Sequence, residues 1–209
     1  MLKTERTSVM NFENAIRGAR NPLNSWARMD SACDEAGNFV MGPNDLDLAR
    51  RLAHAGSDHR KFLRQIFVSV DITAPLYWWK EFDTYKVGTV ANSCSTMHKI
   101  HAKAFTRDDF SHDRLDEGGL ALLDATVAYL EAERQKFLLN KEDRQAWHNM
   151  IQLLPSSYNQ MRTVTMNYEN LIGMYYARKN HKLAEWHTLC DWILSLPYAS
   201  DLILVKEKE

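Results

Sequence analysis

Cysteine is scarce in this 209-residue chain. Cys33, Cys94 and Cys190 are odd in number and far apart, which argues against a disulfide framework and against a cysteine-built zinc site. Glycine (8) and proline (5) are also few. The glycines form neither Gly-x-Gly-x-x-Gly nor Gly-x-x-x-x-Gly-Lys-Ser/Thr, so no Rossmann-type or P-loop cofactor site is expected. None of the 8 histidines falls in a His-Glu-x-x-His or Cys/His spacing, and no metal site is expected. No apolar run approaches the roughly 18 residues that cross a bilayer, so no membrane span is expected. The opening stretch Met1 to Met10 lacks the charged-then-apolar layout of a secretory signal, and a cytoplasmic protein is expected. A surplus of charge of either sign is lacking too. Lys plus Arg number 26 against 27 for Asp plus Glu, a net charge of −1, which excludes nucleic-acid binding through bulk positive charge and leaves room only for a local basic patch.

What is present is ordinary globular material, 45% hydrophobic and 25% charged, enough for a single domain over residues 1–209. Residues 1–40 read as irregular, except around Asn11 to Arg20, where Phe12, Ala15, Ile16 and Ala19 fall at helical spacing. Asn38 to Pro43 reads as an extended piece closed by a turn, and Asn44 as the cap of a helix through Ala53 that Gly56 stops. Ser57 is placed to cap a further helical turn, His59 to Arg64. Gln65 to Ile72 is β-branched and alternating, the best strand in the chain; Thr73-Ala74-Pro75 then opens an aromatic helix, Leu76 to Phe82. Helices are expected over Asp116 to Asn140, Glu142 to Leu154, around Tyr168 to Tyr175, and from Leu183 towards Pro197. The balance is α+β: mainly helical with a small central sheet.

The densest polar run is Asp83 to Lys86 followed by Thr89, Asn92, Ser93, Cys94, Ser95, Thr96 and His98. It reads either as a solvated loop with a capped helix or as a nucleotide site whose hydroxyls and amides meet phosphate, with aromatic side chains as a platform. Cys94 beside His98 has the makings of a nucleophile, although that spacing is common by chance. Arg178, with Lys179, His181 and Lys182 nearby, either caps a helix end or reaches a phosphate.

In order along the chain, these pieces resemble the flavin-dependent thymidylate synthases of the ThyX type. That family runs from a Gly/His/Ser turn and a Phe-x-Ile strand to Arg-His-Arg-x-x-Ser, then Asn-Glu-x-Ser-x-Arg-Tyr, Leu-Pro, Asn-Ala-Arg, an Arg, and Ala-Gln-Trp-Glu-Ile-Arg. The stations here are His54-Ala55-Gly56-Ser57, Phe67-Val68-Ser69-Val70, Lys80 to Tyr85, Asn92 to His98, Leu154-Pro155, Asn167-Tyr168-Glu169, Arg178 and Ala184 to Leu189. The resemblance implies a ThyX-like fold and a homotetramer with sites between chains. It also implies FAD as cofactor, NADPH and methylenetetrahydrofolate as co-substrates, and a pyrimidine deoxynucleotide such as dUMP as the small-molecule partner. It assigns nucleotide contacts to Tyr85, Asn92, Ser95 and Arg178, and cofactor contacts to His54, Ser57, Asn167 and Glu185. Tyr77, Trp78 and Trp79 join Tyr85 as expected stacking surfaces.

The departures fall at the chemistry. Asp83-Thr84-Tyr85 stands where the family has Arg-His-Arg, Gly88 stands near its Ser, and Glu169 and Leu189 replace arginines. In the family those arginines hold phosphates, which requires a permanent multi-donor cation. Carboxylates there are expected to repel a nucleotide unless the ligand has changed or Lys80, Lys86 or Lys99 has taken over. Two functions therefore remain: one-carbon transfer to, or modification of, a dUMP-like nucleotide, or a non-catalytic binding or interaction module that keeps the fold without FAD. No catalytic residue is assigned. An unrelated helical protein is the third and weakest expectation.

Overall fold

The computed structural model describes residues 1–205. The elements are β1 (Lys3–Met10), α1 (Phe12–Arg20), β2 (Ala32–Cys33), β3 (Phe39–Val40), α2 (Pro43–His54), β4 (Phe67–Pro75), α3 (Leu76–Phe82) and β5 (Val90–Ser93). They continue with α4 (Glu117–Leu139), α5 (Arg144–Gln152), β6 (Asn159–Asn167), α6 (Tyr168–Arg178), α7 (Ala184–Leu194) and α8 (Ala199–Leu202), with five short 3-10 turns interspersed. Four strands form one sheet in the order β1-β4-β6-β5, and β2 pairs antiparallel with β3, Ala32 opposite Val40 and Cys33 opposite Phe39. In β4 the alternation is explicit: Val68, Val70, Ile72 and Ala74 are buried and Ser69, Asp71 and Thr73 only half-buried, as period-2 geometry requires of a strand with one face in a core.

The described chain divides into two compact units, the first comprising residues 1–3, 72–84 and 92–163, the second residues 4–71, 85–91 and 164–205. In the first unit, α4 and α5 pack through Leu123, Leu130 and Met150 onto Ile100, Phe105 and Phe110. Asp116 caps α4, its carboxylate accepting from the Gly119 amide at 2.8 Å. In the second unit, the 3-10 turn Arg60–Gln65 packs against α1, α2 and α6, and α6 packs against α7. Phe62, Leu63, Ile66, Tyr168 and Leu171 are buried there.

Several local expectations change. Residues 1–40 are not irregular outside α1: Lys3–Met10 is a strand despite six exposed positions in its burial pattern. Asn159–Asn167 is a strand, and the polar run from Asn92 holds the end of β5 and a turn rather than a helix. Asn44 does not cap α2. Gly42 is the cap residue, and the Asp30 carboxylate accepts from the Asn44 amide at 2.8 Å and the Asp45 amide at 3.0 Å. A carboxylate from 14 residues away does this as well as a neighbouring Asn side chain, because the unpaired amides of the first turn donate to any acceptor that reaches them.

Candidate functional site

In the second unit the loop Tyr85 to Thr89 runs along α6. At its start, the Arg178 Nε donates to the Tyr85 hydroxyl at 2.8 Å. The same guanidinium lies 4.6 Å from the Trp186 ring centre and 5.5 Å from that of Tyr85, while Tyr85 meets Trp186 edge-on at 5.9 Å. Trp186 is fully buried, and Arg178 and Tyr85 are half-buried. A guanidinium held against two rings is a cation fixed in place. Further along the loop, the Asn170 Nδ2 donates to the Val87 carbonyl at 2.8 Å. Asn167 and Asn170 form a reciprocal cap at the start of α6, each side-chain oxygen accepting from the other residue's amide at 3.0 and 3.1 Å. Gly88, at φ +76°, sits so close that a Cβ would lie 3.0 Å from Asn167 Nδ2 and Asn170 Oδ1. The glycine at the place of the family's serine is thus set by backbone geometry.

The carboxylates that replace family arginines are both ion-paired. Within the second unit, Glu169 on α6 accepts from Arg60 Nε at 3.1 Å. Within the first, Asp83 accepts from Arg162 Nη1 at 2.7 Å, and the Arg162 guanidinium stacks 4.2 Å over Trp79. Arg162 Nε also donates to Gln160 at 3.0 Å, and Gln160 Nε2 to the Cys94 carbonyl at 2.7 Å. The expected repulsion of a nucleotide by free carboxylates is corrected accordingly: each negative charge has its own arginine, and neither partner is one of the lysines expected to compensate. Sequence reading missed Arg60 and Arg162 because they lie 109 and 79 positions from the carboxylates they pair with.

Of the other expected cofactor residues, Asn167 and Glu185 are buried, His54 is half-buried and Ser57 is exposed. In the first unit, Asn92 is exposed on β5, and the Ser95 hydroxyl accepts from the Met97 and His98 amides and lies 3.0 Å from His98 Nδ1. His98 is therefore turned to Ser95, and Cys94 is exposed. Trp78 and Trp79, expected to offer stacking surfaces, are buried: they meet edge to face at 4.9 Å, Trp78 stacks on Phe82 at 5.1 Å and Trp79 meets Phe82 edge-on at 5.2 Å. They are core, as an aromatic cluster at helical spacing tends to be. The Gly/His/Ser turn does lead to a concavity. A cavity of about 440 Å³ opens at Asp58, the residue after Ser57, and is lined by Asn21, His59, Lys61 and Gln65 over Leu52 and Phe62.

Among the described residues no group of His, Cys, Asp and Glu is arranged to hold a metal ion, and no helix is long and apolar enough to cross a membrane. No family model matches the chain, and no curated protein matches its sequence. Solved structures do match. Thymidylate synthase X from Helicobacter pylori, crystallised with FAD and dUMP, superposes with a TM-score of 0.67 over 97% of both chains at 17% identity. A second structure of it, also with FAD and dUMP, gives 0.64. The fold is ThyX-like. The UMP/dUMP methylase PolB from Streptomyces cacaoi, bound to 5-Br dUMP, shares it with a TM-score of 0.58 at 11% identity, covering 92% of this chain and 88% of that one. The ThyX-like α+β architecture is thus present here although, of the motif's cationic stations, Arg178 is the one that matches.

Proposed function

We propose that this chain binds a dUMP-like pyrimidine deoxynucleotide, with Arg178 and Tyr85 as the anchor, and that it modifies the base by one-carbon transfer with FAD as cofactor. The observation that carries this reading is the Arg178 guanidinium held on Trp186 at 4.6 Å and on the Tyr85 hydroxyl at 2.8 Å. It is a preorganised cation at the one arginine station retained from the motif. The comparisons lend support at the level of the fold, since the similar structures from Helicobacter pylori and Streptomyces cacaoi hold dUMP or its bromo analogue. Asn92 and Ser95 keep their proposed nucleotide roles, and assembly as a homotetramer, the co-substrates NADPH and methylenetetrahydrofolate, and residence in the cytoplasm belong to the same proposal.

The fit of FAD can be judged from the residues present. Asn167 and Glu185 are buried, and Asn167 is committed to capping α6, so they offer a cofactor little surface. The cavity beyond Ser57 is the better match. Its apolar floor of Leu52 and Phe62 suits a planar ring, and His59, Lys61 and Gln65 on its wall supply donors and one cation; its size is in the range of about 300 to 1,000 Å³ usual for small-molecule sites. FAD bound there would supply hydride. His59 and Lys61 would orient it, while Arg178 would hold the nucleotide phosphate.

A second reading, a nucleotide-binding module without catalysis, is favoured by one observation. The two carboxylates at motif arginine positions leave Arg60 and Arg162 engaged with protein rather than ligand. Titration calorimetry with dUMP and with FAD, followed by release of label from 5-tritiated dUMP in the presence of methylenetetrahydrofolate and reductant, separates the two. Saturable dUMP and FAD binding with label release supports the enzyme, and dUMP binding alone supports the module. Absence of dUMP binding, or binding that Arg178→Ala leaves unchanged, refutes both.

A further inference from the structure

A second cavity in the same unit, of about 600 Å³, contains none of the residues expected to touch nucleotide or cofactor. It is lined by Arg20, Arg28 and Arg51, with Asn24 and Asn44, and Asp47 is the one carboxylate among its described lining residues. The three arginines are not equivalent. Arg20 is 4% exposed and neutralised by the fully buried Asp45, which it meets at 2.5 Å; it forms a rigid wall. Arg51 reaches Asp47 at 2.9 Å, but both side chains are about two-thirds exposed, and an ion pair so hydrated is weak and easily exchanged for a stronger anion. Arg28 is exposed and makes no ion pair among the described residues.

The loop that presents Arg28 is held in shape before any ligand arrives. The Ser25 amide donates to the Arg20 carbonyl at 3.2 Å and the Arg28 amide to the Ser25 carbonyl at 3.1 Å. Trp26 Nε1 donates to the Asn21 side chain at 2.9 Å, and the Arg17 guanidinium lies 5.5 Å from the Trp26 ring centre. Asn24 adopts the left-handed conformation at φ 48°, which reverses the chain at the edge of the cavity. A backbone so fixed spares binding the cost of ordering the loop, leaving the side-chain freedom of Arg28 and Arg51 as the entropy to be lost.

We propose that this cavity is an anion site for a small phosphate-bearing molecule, with Arg28 and Arg51 gripping phosphate oxygens and the Asn24 and Asn44 carboxamides adding neutral donors. Two available guanidinium groups call for an anion of at least two charges, which a phosphomonoester or pyrophosphate carries and a single carboxylate does not. The proposal stands independently of the nucleotide reading. The test is calorimetric titration of the full chain with inorganic pyrophosphate at low ionic strength. Wild type is expected to give one saturable site. Arg28→Ala weakens it roughly tenfold or more, the effect of losing one charge-assisted pair, Arg28→Lys retains part of the affinity, and Arg28→Ala/Arg51→Ala abolishes it. Both side chains are exposed, and circular dichroism confirms that the variants fold. Arg178→Ala is the cross-check: it must leave pyrophosphate binding intact while removing any dUMP binding. No saturable heat with wild type, unchanged affinity in the double variant, or loss of pyrophosphate binding in Arg178→Ala overturns the proposal.

Discussion

Replacing Asp45 tests how the second unit is held together. Its carboxylate is fully buried and takes Arg20 Nε at 2.6 Å and Nη2 at 2.5 Å on one oxygen. The other oxygen takes the Asp30 and Ser31 amides at 3.1 and 3.0 Å and the Ser31 hydroxyl at 2.6 Å. Asp45→Ala strands a buried guanidinium and three further donors, and removing one partner of a buried pair costs about 3 to 5 kcal/mol, a large share of the ~5 to 15 kcal/mol available to a domain. Arg20→Met/Asp45→Leu removes both charges and is expected to be less destabilised than Asp45→Ala, with a coupling energy of about 2 kcal/mol or more. Urea unfolding followed by circular dichroism measures each. The same group gives a pH signature. Burial pushes the Asp45 carboxyl up, but the Ser31 hydroxyl, Arg20 and the backbone amides outweigh it and hold it below its ordinary value. A depressed folded pKa means stability that is complete above the unfolded value of about 4 and lost as pH falls through the folded one, so Asp45→Ala flattens the acid limb. Effects of Arg20→Met and Asp45→Leu, each made alone, that add to within about 0.5 kcal/mol in the double variant would refute the reasoning.

Gly88→Ala is expected to cost about 1 to 3 kcal/mol, because it forces a side chain into the left-handed region and its Cβ against the Asn167–Asn170 cap; an unchanged unfolding midpoint would refute this. Thiol labelling in native buffer should modify Cys33 and Cys94 and spare Cys190, which is buried with its thiol pushed up to about 11 by desolvation; mass spectrometry of the labelled peptides decides. Glu131, held down to about 2 chiefly by Arg134 and also by Gln135 and the Phe105 amide, contributes stability that is present above its ordinary value and disappears between about pH 4.5 and 2. Glu131→Gln should remove that part of the acid transition, and an unaltered acid titration of unfolding would count against it.

Where local chemistry decides, the sequence was readable. The alternation of Val68, Val70 and Ile72 marked β4, and Asp116 and Asn140 bracket α4 as caps. Legibility failed where pairing decided. Strand β1 carries Lys, Glu and Arg on exposed positions, and Asn159–Asn167 mixes Asn, Gln and Arg with Met and Val. Neither has a period strong enough to declare itself before a neighbouring strand is in place, because β-propensity largely measures fit to neighbours. The α2 cap failed for the same reason, its acceptors coming from Asp30 rather than from the adjacent Asn44.

The site follows the same division. Arg178 and Tyr85 were singled out separately by residue type and motif position, and the structure brings them to 2.8 Å. Asp83 and Glu169 were equally visible, but their chemistry could not be read from them alone. Two opposite charges about 4 Å apart near a protein surface attract by about 4 kcal/mol before desolvation is counted, comparable to what a free carboxylate would cost an approaching phosphate. With Arg162 on one and Arg60 on the other, each position is close to neutral. Relative to the family pattern, the chain lacks the arginines at the places of Asp83, Tyr85, Glu169 and Leu189, but the two carboxylates among these are not uncompensated anions. On this accounting the two carboxylates do not by themselves repel a nucleotide, and in the proposed function its affinity would rest on Arg178.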